Sequence, residues 1–218
     1  MNNPLLQLLV LAGIAIFLIL RLRNVLGTRD GYEPPQVETP ESPRPRFDVI
    51  EGSVDEDDHD ILDHAPAGSP TAQALAAMKA VEPSFGVMDF LNGAKSAYEM
   101  ILMAFERGDL SDVRPFLAEP VAEAFQGVID ARAANGQTVT AQYIGTRETS
   151  LAGAEYDPAT GMAEVTVRFV GELIAVTRDA QGNVVEGDPK APRKQRDTWT
   201  FARPMGQDDP NWQLVATG

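Results

Sequence analysis

Cysteine is absent from this 218-residue chain, and histidine occurs only at His59 and His64. Without cysteine there are no disulfides, no thiolate nucleophile and no cysteine metal site, which agrees with a reducing compartment. With both histidines early in the chain, everything after residue 64 lacks the commonest general base. Basic charge is also scarce, with 18 Lys and Arg against 32 Asp and Glu and a net charge of −14. An acidic chain of this kind does not suit nucleic acid, because no broad basic face is available to neutralise phosphates. Aromatics are few, and both tryptophans, Trp199 and Trp212, fall in the last twenty residues. Large rings at a terminus that would otherwise fray imply that the tail is built into the fold.

The opening "MNNPLLQLLVLAGIAIFLILRLRNVLG" is almost wholly apolar from Leu5 to Leu20. Sixteen helical residues reach about 24 Å, short of a hydrocarbon core of about 30 Å, and snorkelling by Arg21 and Arg23 closes the gap. A cleaved signal peptide would need basic residues before the run and a small-residue cleavage site after it, and neither is present. The expectation is an uncleaved single-pass anchor. Arg21, Arg23 and Arg29 follow the span, so the positive-inside rule places the rest of the chain on the cytoplasmic side of a bacterial inner membrane.

Between Asp30 and His64 there are twelve acids and two arginines, interspersed with proline. Such a stretch has too little apolar surface to fold by itself and reads as a disordered tether. If flexible over some fifty residues, its root-mean-square reach is about 40 Å. Its densest part, "DEDDHDILDH", lacks the glycine and terminal glutamate of a calcium loop, and His59 and His64 miss the i, i+4 spacing of a zinc helix. It is taken as a solvated acidic run, and no metal or cofactor is expected.

Periodic signals begin near residue 70. "TAQALAAMKAVE" is a short alanine-rich helix ended by Pro83. In "FGVMDFLNGAKSAYEMILMAFERGDL", Phe90, Ala94, Ala97, Tyr98, Ile101, Leu102 and Phe105 recur at helical spacing until Gly108. "LSDVRPFL" reads as a short connector helix, and "EPVAEAFQGVIDARAANG" aligns Val121, Phe125, Val128 and Ile129 on one face before Gly136. The period then drops to two in "TVTAQYIGTRETSLAGAEYD", "GMAEVTVRFVGELIAVTRDA", "DTWTFARP" and "WQLVAT", separated by the turns "DPATG", "DAQGN" and "GQDDPN". Helices followed by strands predict an α+β domain with helices on one face of a curved antiparallel sheet. The expected organisation is an anchor over 1–29, a tether over 30–69, a helical lead-in over 70–84 and the α+β domain over 85–218. Trp199 and Phe201 are expected on one strand face, and Trp212 and Leu214 on one face of the next.

The segments "FLNGAKSAYEMILMAFERGDL", "VTVRFVGEL", "VVEGDP" and "DTWTFARP…NWQLVAT" occur in an order that resembles the C-terminal domain of mitochondrial inner-membrane translocase subunit forty-four and its bacterial TimA-like relatives. The resemblance spans about Phe85 to Val215. It implies a cone-shaped domain related to the nuclear-transport-factor-two fold, with an apolar pocket between helices and sheet. It also implies a non-catalytic role at the membrane, in protein translocation or membrane-protein biogenesis, with lipid or a chaperone- or ribosome-associated protein as partner. Two features depart from the mitochondrial pattern: there is no long basic chaperone-binding segment, and the domain is itself acidic, which weakens attraction to anionic lipid.

Two sets of residues stand out. Tyr98, Leu102, Phe125, Ile129, Phe169, Trp199 and Trp212 are apolar positions that spacing alone assigns to plain core, and that the resemblance makes equally the lining of a pocket. Trp199 suits the core and Trp212, beside the polar "QDDPN" turn, suits a rim. Lys190, Arg193, Lys194 and Arg196 form a basic cluster in an expected hairpin loop, either simply solvated or in contact with an anionic phospholipid or an acidic partner surface. The competing class is a pocket enzyme, an isomerase or dehydratase of the same fold. It would need a buried acid or base, yet Glu164 and Glu172 are expected on solvent faces, which leaves Tyr98 and Tyr143 as donors. The reading is therefore an adaptor without chemistry of its own.

Overall fold

The computed structural model describes residues 56–218, with side chains from His59 onward. The expected anchor and the tether as far as residue 55 lie outside the described residues. Among the described residues, no helix is long and apolar enough to cross a membrane.

Helices come first: α1 (Glu56–Leu62), α2 (Pro70–Val81), α3 (Val87–Arg107), a 3-10 turn (Arg114–Phe116) and α4 (Glu119–Ala134). Strands β1 (Thr138–Asp157), β2 (Met162–Arg178), β3 (Val184–Glu186), β4 (Arg193–Pro204) and β5 (Gln213–Thr217) follow. They form one antiparallel sheet in the order β1-β2-β4-β5, with β3 added at the far end of β2. The α+β class and the helix-then-sheet order are as the periodicities predict.

The long helix follows its pattern closely. Phe90, Leu91, Ala94, Tyr98, Ile101 and Leu102 are buried along one face, and Gly108 ends the helix in the left-handed conformation at φ 76°. In β2, Ala163, Val165, Val167 and Phe169 are fully buried and alternate with exposed Met162, Glu164 and Arg168. Where the two elements meet, Tyr98 lies against Phe169, and Trp199 from β4 meets Tyr98 edge-on at 4.8 Å. Gly171 makes the close approach feasible, since a Cβ there would come 2.8 Å from the Tyr98 hydroxyl oxygen.

The boundaries differ from the sequence reading. Residues 56–69, expected as tether, contain α1, and Ile61 and Ala65 are buried against the rest. Helix α2 is core rather than lead-in: Ser69 caps it through the Ala72 amide, and Leu75 and Met78 are almost completely buried. The acidic run hides Ile61 and Ala65 because composition averages over them, whereas docking uses individual side chains. Val128 is 44% exposed instead of sharing the inner face of α4, of which only Val121 and Ala122 are fully packed. Trp212 precedes β5 rather than lying in it, and Trp199 pairs across the hairpin with Thr217. Arg193, Lys194 and Arg196 belong to β4 and not to a loop. Glu172 is buried, because Arg147 from the neighbouring strand covers its carboxylate at 2.7 Å.

Candidate functional site: an aromatic groove beside the long helix

The first three turns of α3 present Phe90, Gly93, Ala94 and Ala97 at helical spacing, a large ring followed by small residues. The small residues leave a groove of about 320 Å³, closed on its other sides by Phe116 from the 3-10 turn, Phe201 from β4 and the segment Pro210–Trp212. The rings set its shape. Trp212 meets Phe90 edge-on at 4.7 Å, Phe85 supports Trp212 at 6.0 Å, and Phe90 meets Phe201 at 6.1 Å. Gly93 has nothing within 4 Å of where a Cβ would stand, so the floor there is open. A second cleft, about 380 Å³, adjoins this groove through Phe116 and Asn211 and continues along Pro115, Met162 and Val215. Among the described lining residues of the groove, Asp89 alone has a titratable side chain.

Trp212 is held from behind. The Arg203 guanidinium lies 5.3 Å from its ring centre and makes two 2.8 Å bonds to the Glu82 carboxylate at the end of α2. Arg203 is 4% exposed, and its Nη1 also donates to the Asp209 carbonyl. Arg203 holds the Glu82 carboxyl below its ordinary value of 4.5, against an opposing push from burial. One buried cation therefore ties α2, the tail turn and the groove wall together.

The seven apolar residues singled out in the sequence are not brought together as one pocket. Tyr98, Phe169 and Trp199 form a closed stack, and Leu102 is buried beside it. Phe125 and Ile129 lie on α4, where Phe125 packs on Phe105 at 4.9 Å and Ile129 borders a separate hollow near Arg132. Trp212 alone of the seven lines the groove. The residues missed as groove lining are Phe90, Gly93, Ala94, Ala97, Phe116 and Phe201. Their signal was the run of small residues following Phe90 on one helix face, which leaves room where a core helix usually fills it.

The tyrosines considered as catalytic donors are both engaged. The Tyr98 hydroxyl donates to the Asp197 carboxylate at 2.5 Å, and burial with that carboxylate pushes its pKa upward. Tyr143 shares a hydrogen bond with Thr146. In the basic cluster, Arg193 reaches inward to buried Glu106 at 3.2 Å, and Lys194 stands opposite Glu172 in the sheet register. Lys190 and Arg196 are exposed. No group of three or more acids, histidines or cysteines capable of holding a metal is present among the described residues.

Helices laid on one face of a curved antiparallel sheet, with an aromatic groove at the edge of the contact, define an α+β domain. Residues 71–218 match the Tim44-like domain family, and the chain belongs to it. The match extends the resemblance seen in the sequence back across α2. A solved structure of the intermembrane space region of the chloroplast protein ARC6 is similar at 12% identity and a TM-score of 0.38, covering 58% of this chain and 93% of that one. No curated protein matches.

Proposed function

We propose that this protein is a membrane-anchored, non-catalytic adaptor in protein translocation or membrane-protein biogenesis, and that its Tim44-like domain holds an apolar segment of a protein partner in the Phe90–Trp212 groove. Family membership supports a membrane-associated, translocation-related role. The observation that carries the finer reading is the groove itself: aromatic walls, a floor of glycine and alanine, and one carboxylate at its margin. Such a lining suits side chains removed from water, at about 25 cal/mol per Å² of apolar area buried. It offers no paired acid and base for a pocket reaction. The nuclear-transport-factor-two-like cone and the cytoplasmic orientation, argued from Arg21, Arg23 and Arg29, belong to the same proposal. A protein segment is favoured over anionic lipid because part of the basic cluster is neutralised within the fold by Glu106 and faced by Glu172.

Photocrosslinking of the intact protein in its native membrane tests this. A crosslinker at the exposed groove residue Asn211 should yield a discrete adduct that Trp212→Ala suppresses, whereas one at the exposed outer-face residue Glu164 should not. Equal adducts from both positions would remove the groove from the function.

A further inference from the structure

Gly86, the residue at the N-terminal cap of α3, has no side chain to bond the first amides of the helix. The cap comes from elsewhere. Asp60 on α1 accepts the Val87 amide at 2.8 Å through Oδ2 and the Met88 amide at 3.0 Å through Oδ1. The same carboxylate pairs with Lys79 of α2 at 2.9 Å. One side chain thus joins three helices, and it places negative charge at the positive end of α3.

Helix α1 has seven residues, too few to persist in water by itself. Among the described residues, Asp60, Ile61 and, just after the helix, Ala65 fasten it to the domain. It also lies before residue 71, where the family match begins. The element it fastens is the groove wall. Val87 and Met88 are followed directly by Asp89 and Phe90, which line the groove, and Phe85, just before them, packs on both Phe90 at 6.2 Å and Trp212 at 6.0 Å.

We propose that α1 is a releasable clasp by which the N-terminal chain governs the groove: with Asp60 seated on the start of α3, Phe85, Phe90 and Trp212 are held in the receptive arrangement, and unseating it loosens them. This rests on the groove reading as the binding site. Coupling of this kind is reciprocal, so an occupant of the groove also holds α1 in place. Strain or a competing contact on the chain before α1 would then lower affinity at the groove without touching it.

The test uses the full chain purified in detergent, with Trp199→Phe leaving Trp212 as the single tryptophan. Removing a charged cap by Asp60→Ala should increase the local opening equilibrium about tenfold, from a cap worth about 1 kcal/mol or more. Amide exchange should accelerate by that factor over residues 59–66 and 87–90, which in the parent should already be far less protected than Val165–Phe169 in β2. Acrylamide quenching of Trp212 should rise in the same variant, and Ile61→Ser should reproduce both effects by a different route. Faster exchange with unchanged Trp212 quenching in both variants would show that α1 is not coupled to the groove. Protection of residues 59–66 and 87–90 equal to that of β2 in the parent would show that α1 opens only with the whole core and is not a clasp. Unchanged exchange would mean that Asp60 does not fasten it. None of these readouts requires a ligand, whereas failure of the groove reading would appear separately, as loss of specificity in the Asn211 crosslink.

Discussion

The ring of Tyr98 lies flat on that of Phe169, with centroids 4.4 Å apart and planes within 9° of parallel, while its hydroxyl donates to Asp197. Gly171 completes the fit, since any Cβ there meets the same hydroxyl. Tyr98→Phe should cost about 1 to 3 kcal/mol, because a partly buried carboxylate loses the Tyr98 donor and keeps the longer bond from Gln195. Gly171→Ala should cost a similar amount from overpacking. Combined, they should cost less than their sum, because the closest atom to the new methyl is gone. Denaturant unfolding of the four proteins measures this coupling, and strict additivity would separate the two residues.

The tryptophans should differ. Trp199 is 4% exposed within the core stack, so Trp199→Ala should cost about 3 to 5 kcal/mol. Trp212 is half-buried at the groove, and Trp212→Ala should cost distinctly less while abolishing the Asn211 crosslink. Equal losses of stability would contradict the division into core and groove residue.

Filling the groove should separate binding from folding. With open space at the Gly93 Cβ, Gly93→Leu should leave stability near or above that of the parent, since a glycine inside a helix costs up to about 1 kcal/mol relative to alanine. It should also block the groove. A thermal melt together with crosslinking from Asn211 reads both effects.

The start of the folded unit can be located by truncation. A chain beginning at Glu56 should melt as cooperatively as the full protein. One beginning at Pro70 loses the buried Ile61 side chain, the Asp60 cap and the Ser69 cap, and should be weaker by several kcal/mol, from about 1.5 to 3 for Ile61 and about 1 for each cap. Identical melting temperatures would return residues 56–69 to the tether.

Acid should act on the same contacts. Burial raises the Asp60 pKa, but the Val87 and Met88 amides and Lys79 outweigh it and hold the group below its ordinary 3.8; Arg203 does the same for Glu82. A depressed carboxyl binds fewer protons folded than unfolded, so its stabilisation is complete above the unfolded pKa and is lost as pH falls through the folded one. Stability should therefore hold down to about pH 5 and decline below about pH 4.5, the region where unfolded Asp and Glu begin to protonate. Asp60→Asn should make that decline shallower, as followed by urea unfolding at stepped pH. An unchanged slope would exclude Asp60 as a contributor.

The sequence by itself determined the α3 helix, the period-two strands and their turns, because these depend on residues a few positions apart whose side chains repeat with the backbone. It also carried the family through spaced segments that survive in order. What only the tertiary structure decided are pairings across long separations: Asp60 on Val87, Glu82 on Arg203, Glu106 on Arg193 and Tyr98 on Asp197. Periodicity states which face of an element is apolar, not which opposing element covers it or where small residues leave a gap. That is why Tyr98, Phe169 and Trp199 read equally as pocket or core until sheet register closed them into a stack, while Phe90, Ala94 and Phe201 read as core until the tail left a groove between them.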